Sequence, residues 1–184
     1  MRHIFEASAA RVLLLAVVSA VTCPAAADPT GQAAPDSAAG QGPAPKTEIP
    51  PALDVRVTVT DFGAFRIRLD RERTPNASSL FLTLAASGAF DGLTFHRVVP
   101  GLLIQTGDPA TRDQDPANDG TAVPPWRLPS EAVAREPRRG TVCFAWQDRD
   151  STSAGMQWFV MLSDVAALSG RAMPIGEVVD GMEV

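Results

Sequence analysis

Phe95-His96-Arg97-Val98-Val99-Pro100-Gly101-Leu102-Leu103-Ile104-Gln105-Thr106-Gly107-Asp108 decides how this chain reads. It sets one guanidinium, Arg97, a few residues from one carboxamide, Gln105, with apolar side chains between them. Arginine stays charged at any working pH and offers several rigid donors. A carboxamide both donates and accepts.

Outward from this run, Asp91-Gly92 marks a turn, and Leu93 to Val99 reads as a strand. Further upstream, Leu53, Val55, Val57 and Val59 alternate with polar residues, as do Phe65, Ile67 and Leu69. Asp61-Phe62-Gly63 lies between the two sets, so period two on both sides of a turn predicts a β-hairpin. From Pro75 the pattern changes. Ala77, Leu80, Phe81, Leu84 and Ala85 recur at spacings of three and four, which predicts an amphipathic helix ended by Gly88. Downstream, Thr111 to Pro129 is polar and Pro-rich, a long surface loop. Gly140 to Trp146 and Trp158 to Leu162 read as strands, and Asp164 to Leu168 as a short helix. Short strands, one clear helix and long loops point to a mainly β domain.

The N-terminus has a different character. Arg2 and Arg11 flank an otherwise apolar start that also holds Glu6, and Val12 to Val21 is an apolar run too short to cross a bilayer as a helix. Ala25-Ala26-Ala27 then supplies small residues of the kind a signal peptidase accepts. Residues 1–27 are therefore expected to be a signal peptide cleaved after Ala27, with a periplasmic or secreted product. Lipoprotein processing at Cys23 is the alternative. Residues 28–51 are rich in Ala, Pro, Gly and Gln, too poor in large apolar side chains to offset the entropy of ordering, and read as a disordered linker. One folded domain is expected over 52–184.

Composition removes several function classes. Cleavage after Ala27 takes away Arg2, Arg11 and Glu6, leaving 14 basic and 20 acidic side chains. That balance gives no basic surface for nucleic acid. The mature chain keeps one histidine, His96, and one cysteine, Cys143, too few N and S ligands for an ordinary zinc site or for an internal disulfide. No metal site or cofactor is expected. Nothing spaces Trp126, Trp146 and Trp158 as a carbohydrate platform.

The opening run resembles the signature of the cyclophilin family of peptidyl-prolyl isomerases, close to the bacterial form FHRVVPGFVIQGGDP. The likeness extends over roughly Leu53 to Val184. Leu82 to Gly88 with Phe90-Asp91-Gly92 is similar to FLALAASGYYDG, and Gly140 to Ala145 to GTLSMA. Ala154 to Phe159 resembles AGSQFFI, and Gly176 to Met182 resembles GKVVEGM. The resemblance implies a closed eight-stranded antiparallel β-barrel capped by two helices. The family continues some 25 residues past the equivalent of Val184, so the barrel is expected to lack its last strand here, leaving the first core strand without a partner.

The resemblance also assigns roles. Arg97 and Gln105 match the catalytic pair. Leu102, Leu103, Ala145, Gln157, Phe159 and Leu168 match substrate-binding positions. Leu102-Leu103 stands where animal members carry Phe-Met, and Trp146 where they carry asparagine. Ala167 and Ala172 occupy the places of a pocket tryptophan and histidine. The polar set is complete and the apolar walls are trimmed. The implied activity is peptidyl-prolyl isomerisation in the folding of exported proteins, on proline-containing polypeptides, by a monomer that reaches a membrane only if lipidated at Cys23. A catalytically weak module that binds proline peptides is the alternative. Each residue also has a plainer reading. Arg97 could be a surface arginine, Gln105 a solvated strand end, and Leu102, Leu103 and Phe159 core. His96 is read as a hydrogen-bonded structural histidine, and Cys143 as a buried hydrophobe.

Overall fold

A computed structural model describes residues 11–15, 54–131, 135–147 and 150–184. The linker at 28–51 and most of the expected signal peptide lie outside the described residues. Among the described residues nine strands form one antiparallel sheet: β1 Arg11–Leu15, β2 Asp54–Val59, β3 Gly63–Leu69, β4 Leu93–Thr94, β5 Arg97–Val99, β6 Leu103–Thr106, β7 Thr141–Phe144, β8 Trp158–Met161 and β9 Met173–Asp180. Their spatial order is β4-β1-β2-β3-β9-β7-β8-β6-β5.

The two end strands, β4 and β5, are separated in sequence only by Phe95 and His96. The sheet therefore curls until its ends meet. It is joined there by two residues of chain rather than by a ladder of hydrogen bonds, a curled, mainly β sheet of the expected class. This join corrects the single strand expected over Leu93 to Val99. The chain crosses from one end of the sheet to the other at that point, and no continuous strand can do so.

The hairpin of β2 and β3 forms as its alternation predicts, with Val55, Val57, Phe65 and Ile67 buried on one face. Asp61 and Gly63 both take positive φ in its turn. The expected vacancy beside β2 is not found, because Arg11–Leu15 pairs with it in the register Val12↔Val59 to Leu15↔Arg56. β9, unread in the sequence, lies between β3 and β7 and joins the two halves of the sheet.

One α-helix, α1 Pro75–Ala86, is present among the described residues. The segment read as a short helix, Asp164 to Leu168, forms a single 3₁₀ turn, Ala166–Leu168. Four residues between Asp164 and Ser169 carry no stripe long enough to cover a core. Pro75 suits the first turn of α1, where its missing N–H costs nothing. Thr74 makes no side-chain cap; instead the Glu131 carboxylate accepts from Asn76 N (2.9 Å), Ala77 N (2.9 Å) and Asn76 Nδ2 (2.8 Å). A distant acid thus satisfies the open amides and complements the helix dipole.

Alternation in β7 and β8 sorts side chains into two clusters. Val142, Phe144, Trp158 and Val160 join the main core with Phe81 and Phe90, while Cys143, Phe159 and Met161 join a smaller cluster with Leu103 and Ala172 on the other face. Trp158 is fully buried and meets Phe81, Phe90 and Phe95 edge-on at 5.5, 6.1 and 6.4 Å. The larger core holds the barrel; the smaller one forms the floor of a cleft.

Candidate active site

The site is built by strand register. β5 and β6 form a hairpin whose turn places Pro100 second and Gly101 third. Gly101 has φ +70°, and Leu102 N donates to Val99 O at 2.9 Å. Proline pre-sets the second position of such a turn and glycine tolerates the positive φ of the third. The turn fixes the pairs Arg97↔Gln105 and Val99↔Leu103. β6 then pairs with β8 as Gln105↔Phe159, and β8 with β7 as Cys143↔Phe159. Directly opposed residues in a ladder share a face. Arg97, Gln105, Phe159 and Cys143 therefore form one row across four strands, with Leu103 beside it.

A cleft of about 330 Å³ opens over this row. Arg97, Gln105, Leu102, Leu103, Ala145, Phe159 and Leu168 line it, so seven of the eight expected residues come together. Gln157 does not line it. Its side chain faces a smaller adjoining cleft of about 160 Å³, which shares Gln105, Ala145 and Trp146 with the first. The reason is local. Residue 157 precedes β8, and Gly107 lets the end of β6 pass close against it. With φ +98°, Gly107 has no room for a Cβ, which would overlap the Met156 carbonyl oxygen and Gln157 Cα.

That approach creates a carboxamide relay. Arg97 Nη1 donates to Gln105 Oε1 at 3.3 Å, and Gln105 Nε2 donates to Gln157 Oε1 at 2.8 Å. Gln157 Nε2 donates in turn to Gly120 O (3.0 Å) and Ala122 O (3.1 Å). Both glutamines are buried, at 9% and 8% exposure. The loop that supplies those carbonyls is itself pinned, since Ala122 N donates to the buried Asp108 carboxylate at 3.1 Å. Arg97, by contrast, is exposed and has no carboxylate within ion-pair distance among the described residues. Its charge remains available to whatever enters the cleft.

His96 behaves differently from its sequence reading. Both ring nitrogens are buried without a bond of acceptable geometry. Burial depresses its pKa, against the pull of Asp108, Asp119 and the nearby Gln157 carboxamide, with Arg97 adding to the depression. The expected hydrogen-bonded histidine is corrected to a half-buried ring whose nitrogens make no such bond among the described residues, with burial favouring the neutral form. Cys143 is fully buried beneath Phe159, and burial pushes its thiol up to about 12, which makes it unreactive packing.

Of the positions with altered residues, Trp146 and Ala167 line the cleft, whereas Ala172 is buried below it. Val165 and Arg171 also line it, and sequence reasoning missed both. They lie on an irregular segment with no periodicity to say which way a side chain faces.

Comparison with known proteins agrees with this geometry. The family model described as "Cyclophilin type peptidyl-prolyl cis-trans isomerase/CLD" matches residues 54–184. A "Probable peptidyl-prolyl cis-trans isomerase" of Brucella suis biovar 1 (strain 1330) is 34% identical over 127 residues, covering 66% of this chain and 64% of that protein. The chain thus spans less than two thirds of that relative's length. A "Peptidyl-prolyl cis-trans isomerase-like 3" of Gallus gallus is 32% identical over 126 residues, covering 67% of this chain and 74% of the relative. Among solved structures, a Cryptosporidium parvum cyclophilin-type isomerase, crystallised in the presence of the dipeptide Ala-Pro, superposes with a TM-score of 0.61 at 27% identity, covering 71% of this chain and 80% of that one. With its strand register, its cleft and a family match over most of its length, the chain belongs to the cyclophilin-type peptidyl-prolyl cis-trans isomerase family.

Proposed function

We propose that the domain catalyses cis-trans isomerisation of X–Pro bonds, acting on exported polypeptides. The observation that carries this reading is Arg97, unpaired with any described carboxylate, facing one cleft with the Phe159 ring. The barrier to be lowered comes from amide resonance, roughly 18–20 kcal/mol, and leaves X–Pro bonds interconverting over tens to hundreds of seconds. Twisting the bond makes the prolyl nitrogen pyramidal and localises its lone pair. A fixed cationic donor favours that twisted form over the planar one, which is the differential binding catalysis requires. Arg97 supplies the donor. Gln105 steadies Arg97 through its Oε1 and is placed to hold the backbone beside the bond. Leu102, Leu103, Phe159 and Leu168 supply an apolar seat for the pyrrolidine ring, so the acyl side turns. The Ala-Pro dipeptide used with the Cryptosporidium protein supports a proline-containing substrate here.

Two-dimensional exchange NMR on an Ala-Pro peptide tests the reading. Arg97→Ala should slow exchange at least about tenfold, a loss of about 1.4 kcal/mol of transition-state stabilisation. Equal rates in both proteins would reject it. The second reading, a binding module of little activity, is favoured by Ala167, which leaves one wall of the cleft small. It predicts peptide line-broadening without exchange above background.

Export is supported by the apolar run and the Ala25-Ala26-Ala27 site. Cleavage there removes the strand Arg11–Leu15 that pairs with β2. Mass spectrometry of the cellular protein decides the matter. A start at Asp28 supports a periplasmic or secreted product, a lipidated Cys23 supports a membrane anchor, and a retained Arg11 supports neither. We take the domain to act as a monomer, which light scattering tests.

A further inference from the structure

Arg171 is the second guanidinium in the cleft, and the role proposed above gives it no task. It is exposed, and its side chain has no hydrogen-bond or ion-pair partner among the described residues. Its backbone is held in place: Arg171 N donates to Leu168 O at 3.0 Å, and the next side chain, Ala172, is buried in the cluster under the cleft. Arg171 therefore stands at a fixed point on the rim, on the same segment as Leu168 and Ala167. Ala167 is too small to screen it.

The charge pattern of the cleft runs against that of the chain. The whole protein carries a formal net charge of −5, yet among the described residues the charged side chains lining this cleft are those of Arg97 and Arg171, with no Asp or Glu. Two unneutralised guanidiniums over an apolar seat create a local positive potential, and a low-dielectric wall concentrates it. Guanidinium also matches a carboxylate with two parallel hydrogen bonds. Building on the isomerase reading, we propose that Arg171 is a specificity-determining residue that selects proline segments carrying an Asp or Glu next to the proline. Arg97 remains assigned to the twisting bond, while Arg171 engages the flanking carboxylate.

The test is peptide affinity, which does not depend on turnover. Dissociation constants are measured by NMR titration for a blocked peptide set with Ala, Glu or Lys immediately before and immediately after proline, at low and at physiological salt. The expected order is Glu over Ala over Lys at one of the two flanks. The Glu preference over Ala should be about three- to fivefold at low salt, as for a partly exposed charge pair, and smaller at higher salt. In Arg171→Gln that ratio should fall to about one, and in Arg171→Glu it should invert. A wild-type protein that binds the Ala and Glu peptides equally at both flanks overturns the inference, as does a Glu preference that survives in Arg171→Gln. Exchange rates on the neutral peptide are recorded alongside. Turnover without charge preference leaves the isomerase reading standing and removes this one. Charge preference without turnover does the reverse.

Discussion

Replacing Gln157 with leucine tests whether the relay behind Arg97 contributes to the reaction or only to the fold. The side chains are close in volume, so the main change is loss of three hydrogen bonds. These are the one accepted from Gln105 Nε2 at 2.8 Å and the two donated to Gly120 O and Ala122 O. A neutral hydrogen bond contributes about 1 kcal/mol net, and an orphaned buried donor costs about 1–3 kcal/mol. The two loop carbonyls border the smaller cleft and can take water, so the main penalty falls on Gln105, which is only 9% exposed. The stability loss should be about 2 kcal/mol. For a domain of this size that lowers Tm by roughly 7 °C. Gln105 is also freed to rotate, which removes the hydrogen bond that, among the described residues, holds the Arg97 guanidinium. We expect kcat/KM to fall about tenfold, most of it in kcat. The decisive assay is a double-mutant cycle by exchange NMR, well below the melting temperature. If Gln157 acts by positioning Arg97, Arg97→Ala should cost clearly less in the Gln157→Leu background, with a coupling of roughly 1 kcal/mol. Strict additivity of the two effects would refute the positioning role, even if the variant is destabilised as expected.

Glu131→Ala removes the acceptor for two amides at the start of α1 and for the Asn76 carboxamide, and should cost about 1–2 kcal/mol by denaturant titration. A change under about 0.5 kcal/mol would show that water caps the helix equally well. For His96 the sign follows from burial. Its folded pKa lies below its unfolded value, so the unfolded chain takes up the proton first. Stability is then full above the ordinary histidine pKa of 6.5 and declines as pH falls through it, until the folded ring also protonates. Calorimetric Tm between about pH 8 and pH 5 should show this decline, and His96→Gln should flatten it; an identical slope in the variant would contradict it. Cys143, with its thiol pushed up to about 12, should resist iodoacetamide at about pH 8 in the native protein and react on unfolding, as followed by peptide mapping. Rapid native labelling would place it outside the cluster under Phe159.

Local pattern determined a good part of this protein. Val55, Val57, Phe65 and Ile67 disclosed the hairpin, because side chains alternate faces along any strand. Ala77, Phe81 and Ala85 disclosed the helix, because spacings of three and four return to one face. Arg97 and Gln105 were legible as a pair because a short hairpin joins them. What lies beyond is decided by contacts between distant segments. The relay runs between Gln105 and Gln157, 52 residues apart, and depends on the bare Cα of Gly107. The cap on α1 comes from Glu131, 55 residues beyond Asn76. The break at Phe95-His96 exists only because the sheet curls round to meet itself. Arg171 faces the cleft because the buried Ala172 anchors a segment that has no period of its own. Periodicity reports which face a residue occupies within its own element. Only the register between strands, set by turns and close backbone approaches, reports what stands opposite.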